Sequence, residues 1–292
     1  KVRSTASTGA VERFTELNPQ FCHDYSNPGT GPRIIEHHNK MHVLRDKVRV
    51  GGMQPFTMID FPGRLASVLF LQGCNLRCRF CYNGTLLPGT AREQIAWEAV
   101  INFLKDRQGF VEGVVFSGGE PCMQSGLLDA MHEVRELGYE IALHTNGFFP
   151  DVVEKAIEQR LLQFIAVDYK APIARYGEVT GQSASEKSFG RVAELIVASG
   201  IRHEYRTTFH PRLISEKELM TMADWLVEKK ISSFALQKFK HGGAYDASLP
   251  PVIGPWILNT TLLKLKSRFA SFTLRSDGSN EIVLGTDQPL VA

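Results

Sequence analysis

The sequence predicts an α/β protein, a partial (β/α)6 TIM-like barrel over residues 48–292 behind an irregular N-terminal extension over residues 1–47. Three observations predict it. Short apolar runs alternate with stretches of helical periodicity, the pattern of repeated βα units around a parallel sheet. About six such strands are present, where eight would close a barrel. Glycine-rich and polar tripeptides follow the apolar runs, at the strand ends where parallel sheets carry their chemistry.

The extension contains Asn18-Pro19, Asn27-Pro28-Gly29 and Gly31-Pro32 with little periodicity, so an irregular arm is expected, with a short helix near Ala10–Leu17. Its Cys22, His37, His38 and His42 are of metal-ligating type, but the composition reads as a polar surface extension. The first strand is Ala66–Leu71, followed by a cysteine-rich loop and a helix over Ala91–Lys105. Gly113–Phe116 is the next strand, and Leu127, Leu128, Met131, Val134 and Leu137 recur at helical spacing. Strands at Tyr139–His144, Phe164–Val167, Glu204–Phe209 and Ser233–Leu236 alternate with helices at Val152–Arg160, Glu186–Ala198 and Glu216–Glu228. A helix near Trp256–Ser267 and a possible last strand at Phe272–Arg275 end the pattern, which has no fixed-period repeat.

Composition narrows the function classes. A formal charge of +2 makes no electrostatic case for nucleic acid or an anionic membrane surface. No apolar run reaches the ~18 residues of a membrane span, and no apolar signal core opens the chain, so a cytoplasmic protein is expected. Three of the five cysteines fall within eight residues, which suits a metal site in a reducing compartment better than a disulfide framework.

Those three are Cys74, Cys78 and Cys81, in Gly73-Cys-Asn-Leu-Arg-Cys-Arg-Phe-Cys-Tyr82-Asn83. Thiolates are the usual ligands of a [4Fe-4S] cluster, and three of them leave one iron open. An open iron can chelate the amine and carboxylate of an amino acid such as methionine. Zinc is the competing occupant, but it needs a fourth ligand, and Cys22 and Cys122 form no matching pair.

The Cys-x3-Cys-x2-Cys loop with Phe80 before its last cysteine resembles the signature of the radical S-adenosylmethionine (SAM) superfamily. The stretch from Thr57-Met-Ile-Asp-Phe-Pro-Gly-Arg64 to Asn83 resembles activating enzymes of glycyl radical proteins, most closely those of anaerobic ribonucleoside-triphosphate reductase. The resemblance covers roughly residues 48–240; Tyr82 stands where much of that group has histidine. Ferredoxin-like additional cysteines are absent, so a single cluster is expected.

The resemblance implies roles at the other strand ends. Gly118-Gly119-Glu120 would bind the SAM amino group through its backbone, the alternative being an ordinary strand-to-helix turn. Asp168 and Lys170, two residues apart on one strand face, would hold the ribose hydroxyls and carboxylate, the alternative being a surface ion pair. Asn146 and His210 are further SAM contacts, or a turn residue and a strand cap, and Phe80 would pack on adenine or serve as plain packing. Cys122 and His144 are expected as core residues.

The activity implied is reductive cleavage of SAM to methionine and a 5′-deoxyadenosyl radical, with the electron supplied by a donor such as flavodoxin or ferredoxin. The radical would take hydrogen from a glycine Cα of a partner glycyl radical enzyme, anaerobic ribonucleotide reductase being the expected partner. The alternatives are a radical SAM enzyme acting on a small molecule of deazaguanine type, and a non-catalytic iron–sulfur or zinc module.

Overall fold

Among the described residues nine strands form one sheet in which every strand pairs with its sequence neighbours, from β1 at one edge to β9 at the other. The computed structural model of the chain describes residues 47–91, 93–276 and 280–284. The helix expected near Ala10–Leu17 and the arm's Cys22, His37, His38 and His42 lie outside the described residues.

Strands β2 (Ala66–Leu71), β3 (Gly113–Gly118), β4 (Glu140–Thr145), β5 (Phe164–Asp168), β6 (Arg202–Phe209), β7 (Ser233–Lys238) and β8 (Ser271–Ser276) are all parallel. Antiparallel strands β1 (Val50–Thr57) and β9 (Asn280–Leu284) flank them. The sheet is therefore a partial barrel with two ends. The six expected strands are β2–β7, and the possible last strand is β8, a seventh parallel member.

Helices α1 (Trp97–Asp106), α2 (Leu127–Glu136), α3 (Pro150–Glu158), α5 (Glu186–Ser199), α6 (Glu216–Glu228) and α7 (Asn259–Lys266) connect the strands, with a one-turn α4 (Tyr176–Thr180) after β5. Strands covered on both faces need apolar residues on both, and β2 follows this: Ala66, Val68, Leu69 and Leu71 are buried, while the buried Ser67 gives its hydroxyl to Pro55 O at 2.7 Å. The helix-side core is the larger one. On the other, concave face a small cluster gathers Phe61, Ala66, Val68, Val115, Ala142, Phe164 and Ala166. Phe61 comes from the segment between β1 and β2, and a side chain on Gly113 would meet its ring at 2.7 Å. Only glycine lets this ring plug the concave face.

Two differences from the sequence reading have one cause. Strand β1 was not expected, because its residues (VGGMQPFT) lack a clean alternation. Helix α1 starts at Trp97 rather than Ala91, since Ile95 donates its N–H to Val50 O at 2.9 Å and is thereby held in an extended bridge. Each is settled by pairing with another segment, β1 with β2 and Ile95 with Val50.

Candidate active site

The cysteine loop leaves the carboxyl end of β2. Its root is fixed by Gly73 N–H to Leu86 O (2.7 Å) and Cys74 N–H to Leu87 O (3.2 Å). The glycine pair after β3 lies against this root. Gly119 N–H donates to Leu71 O (2.9 Å) and Glu120 N–H to Gly73 O (2.8 Å). A Cβ on Gly119 would stand 2.1 Å from Gly73 O, and one on Gly118 (φ +115°) 2.3 Å from Leu71 N. The two glycines thus bring two backbones together at the loop's base, whatever else they bind.

Further along, the loop is clamped from two sides. Arg77 and Arg79 donate their backbone N–H groups to Thr180 O (2.7 Å) and Val179 O (3.0 Å), so the last carbonyls of α4 hold it. Arg77 turns its guanidinium back onto Cys74 O (2.7 Å) and Leu76 O (2.8 Å). From the other side Tyr245 N–H reaches Cys81 O (2.8 Å) and Asp246 N–H reaches Arg79 O (2.9 Å), while Arg79 and Asp246 pair at 2.7 Å. Tyr82 donates its hydroxyl to Lys240 O and lies against Phe239. Arg77, Arg79, Thr180 and Asp246 were missed in the sequence, and nothing local signals them: Arg79 and Asp246 are 167 residues apart.

Cys78 is buried, Cys74 and Cys81 are half-buried, and none is in a disulfide. Burial raises all three thiols above the ordinary cysteine value, Cys78 to about 12. The loop alone therefore does not stabilise three bare thiolates; a bound cationic centre would. Among the described residues no three His, Cys, Asp or Glu side chains converge on a single metal ion. Three soft donors of this kind on one loop, root and tip both clamped, fit a multi-iron centre.

Asp168 and Lys170 do meet, at 2.9 Å, with Lys170 15% and Asp168 41% exposed as side chains. Burial opposes the charge of each. The partner outweighs it, holding Asp168 below the usual carboxylate range and Lys170 well above the usual lysine value. Lys170 Nζ also lies 5.8 Å from the centroid of the buried Phe80 ring, linking the ion pair to the cysteine loop.

Glu120 is fully buried, and its carboxylate accepts from Cys122 N–H (3.0 Å), Thr145 hydroxyl (2.7 Å) and Asn146 N–H (2.7 Å). Burial pushes its carboxyl up against those donors. Asn146 donates its side-chain amide to Asn75 Oδ1 at 2.7 Å, tying the end of β4 to the cysteine loop. His210, 1% exposed, accepts Arg212 N–H at Nδ1 (3.1 Å) and reaches Pro250 O through Nε2 (3.1 Å), so both ring nitrogens serve the backbone. Cys122 is buried and His144 meets Asp60 O at 2.8 Å, as core residues do. Cys74, Cys78, Cys81, Phe80, Lys170, Asn146 and the glycine pair are thus joined in one network at the carboxyl ends of β2–β5.

The sequence profile of the radical SAM superfamily matches residues 68–226, more than half of the chain. The chain belongs to the radical SAM superfamily. As a radical SAM protein it is an enzyme, and its open parallel sheet is the fold of that superfamily. It is 29% identical over 208 residues to a Methanocaldococcus jannaschii protein provisionally named a glycyl-radical enzyme activating enzyme, covering 68% of this chain and 83% of the relative. It is 26% identical over 216 residues to a 7-carboxy-7-deazaguanine synthase of Hyperthermus butylicus, covering 68% and 87%. Among solved structures, SuiB of Streptococcus suis bound to S-adenosylmethionine superposes with a TM-score of 0.52 at 16% identity, over 71% of this chain. That likeness is one of fold, and this radical SAM chain spans about half of SuiB, 48% of its length. No described helix is long and apolar enough to cross a membrane.

Proposed function

We propose that this protein is a glycyl radical enzyme activase: it uses a [4Fe-4S] cluster on Cys74, Cys78 and Cys81 to cleave SAM and places a radical on a partner's backbone glycine. The observation that carries the reading is the similarity to the Methanocaldococcus jannaschii activating enzyme, which spans 83% of that protein. The Thr57–Arg64 segment adds to it. When bound, the cluster supplies the open iron and the electron for reductive C–S bond cleavage.

The chain's own residues do the rest. Arg77, Thr180 and Asp246 hold the thiol loop in place. Backbone carbonyls at Gly118 and Gly119 take the amino group of SAM, and the Lys170 ammonium, kept charged by Asp168, takes its carboxylate. Asp168 is the more exposed member, placed to accept from ribose hydroxyls. Phe80 packs on the adenine, Asn146 orients the loop toward SAM through Asn75, and Glu120 and His210 brace the strand ends from behind. An anaerobic ribonucleotide reductase is the proposed partner and flavodoxin or ferredoxin the proposed donor. An open-sided sheet leaves room for a protein loop to enter.

The test mixes reduced, cluster-loaded protein with SAM and a candidate reductase in the absence of oxygen. A doublet from a glycine-centred radical is expected by electron paramagnetic resonance, together with its loss in Cys78→Ala. The second reading, a small-molecule enzyme, is favoured by the similarity to the deazaguanine synthase of Hyperthermus butylicus over 87% of its length. It would be supported by SAM cleavage that responds to a small heterocyclic substrate while no protein radical forms.

A further inference from the structure

The concave face of the sheet carries a row of polar side chains at the carboxyl ends of β6–β8 that the site described above does not use. Strand residues alternate between the two faces of a sheet. Tyr205, Phe209, Phe234, Leu236 and Phe272 belong to the helix-side core, so Arg206, Thr208, Gln237 and Arg275 lie on the concave side. Asp168, set between Val167 and Tyr169 of that same core, does so as well. Register fixes their order. Asp168 pairs with Arg206, and two residues nearer the carboxyl ends Thr208, Gln237 and Arg275 stand side by side on three strands.

The charges of this region are engaged with one another. Glu204 accepts from Arg206 Nε at 2.5 Å and from Arg275 Nη1 at 2.9 Å, and Asp168 holds Lys170 at 2.9 Å. Arg206 Nη2 has no partner, but it is buried below the surface, out of a ligand's reach. Thr208 and Gln237 differ. Both are half-buried, and neither side chain has a hydrogen-bond partner among the described residues. A hydroxyl and a carboxamide offer donors and acceptors without charge, and a carboxamide both gives and takes a hydrogen bond, as a peptide group does. With the two guanidiniums committed to Glu204, the row suits a neutral, amide-bearing ligand better than an anion.

Its place fits the second reactant. The contacts proposed for SAM lie on the cysteine loop and β3–β5, which leaves β6–β8 uncommitted. Strands about 4.8 Å apart that rise about 3.3 Å per residue put Thr208 roughly 8 Å and Gln237 roughly 12 Å from Asp168, backbone to backbone. An extended peptide covers that span in about two to four residues. We infer, resting on the activase function proposed above, that Thr208 and Gln237 bind the backbone of the partner's segment beside its glycine. The Gln237 carboxamide takes one peptide N–H and gives to a peptide carbonyl, and the Thr208 hydroxyl gives to a second carbonyl.

The test uses the full, cluster-loaded chain with SAM and no reductant, and reads binding instead of radical formation. The probe is a short peptide centred on the radical glycine of the candidate reductase, capped at both ends. Gln237→Met and Thr208→Val, which keep side-chain volume, should each raise its Kd about tenfold, the usual effect of leaving a partner's hydrogen bond unmade. Iron content and SAM affinity should stay at the wild-type level. N-methylating the peptide's backbone one amide at a time should reproduce the tenfold loss at one position in wild type, and that loss should vanish in Gln237→Met. Equal peptide affinity in both variants, or an N-methyl penalty that survives in Gln237→Met, would overturn the site while leaving the activase function standing. A wild-type protein that binds no such peptide and forms no glycine radical would overturn both.

Discussion

Lys170 is the held cation of the active region: 15% exposed, paired with Asp168 at 2.9 Å and set beside Phe80. In Lys170→Ala the half-exposed Asp168 carboxylate loses its counter-charge, and in Asp168→Ala an ammonium is left in a place burial disfavours. Each change is expected to weaken SAM binding by about 1–3 kcal/mol, the scale of a charge-assisted hydrogen bond, while iron content stays at the wild-type level. Titration calorimetry with SAM, alongside iron analysis, checks this. Unchanged affinity in both variants would reduce the pair to a structural ion pair. The residues of this pair were legible, since a two-residue spacing at a strand end puts both side chains on one face. The work of Glu120 was not. Its motif names it, but its three hydrogen-bond donors come from Cys122, Thr145 and Asn146, the last two at and just past the end of the next strand.

Helix α6 shows what holds an element beside the site. Ser215 and Glu218 form a reciprocal capping box at its start, the hydroxyl accepting Glu218 N–H while the Glu218 carboxylate accepts Ser215 N–H at 2.8 Å. Arg175, just before α4, adds an ion pair to Glu218 at 2.7 Å. Through it α6 is tied to the turn that clamps the cysteine loop. The Ser215 hydroxyl and then Arg175 lower the Glu218 carboxyl from 4.5 to about 2. A depressed carboxyl gives stability that is present above 4.5 and is lost as the pH falls toward about 2. Glu218→Gln should therefore flatten the acid limb of the stability profile, and Ser215→Ala should cost about 1 kcal/mol at neutral pH. Denaturant unfolding at a series of acid pH values measures both, and an acid limb in Glu218→Gln equal to wild type would contradict the assignment. The body of α6 was readable from its apolar period. The start of α1 was not, because Ile95 is drawn into a bridge with Val50, and helical periodicity carries no record of that pairing.

At the scale of the molecule, the parallel strands β2–β8 make a single body from Ala66 to Ser276, with β1 added at one edge. The catalytic residues proposed above all lie within it. A chain starting near Asp46 is therefore expected to keep its cluster and its uncoupled SAM cleavage. Iron content and 5′-deoxyadenosine release measure this. Loss of iron on truncation would assign a ligand role to Cys22, His37, His38 or His42. The open edges also matter here. Antiparallel β1 and β9 end the sheet instead of closing it, so the concave face is open along one side as well as at its strand ends.

Sequence by itself determined the features written in local chemistry and period. These are the alternation of parallel strands and helices, the three thiols on one loop, the glycine pair after β3 and the Asp168–Lys170 spacing. Each depends on residues a few positions apart. Tertiary structure decided what is made by contacts between segments rather than within them. It paired β1 with β2, shortened α1 and set Thr180 and Asp246 as clamps on the cysteine loop. It also brought Arg206 from β6 against His144 on β4, where burial and then the guanidinium lower the imidazole to about 4 and keep it neutral. Lone arginines and histidines in a sequence do not say which strands will bring them together. That depends on the register and the curl of the whole sheet, and only the folded chain sets both.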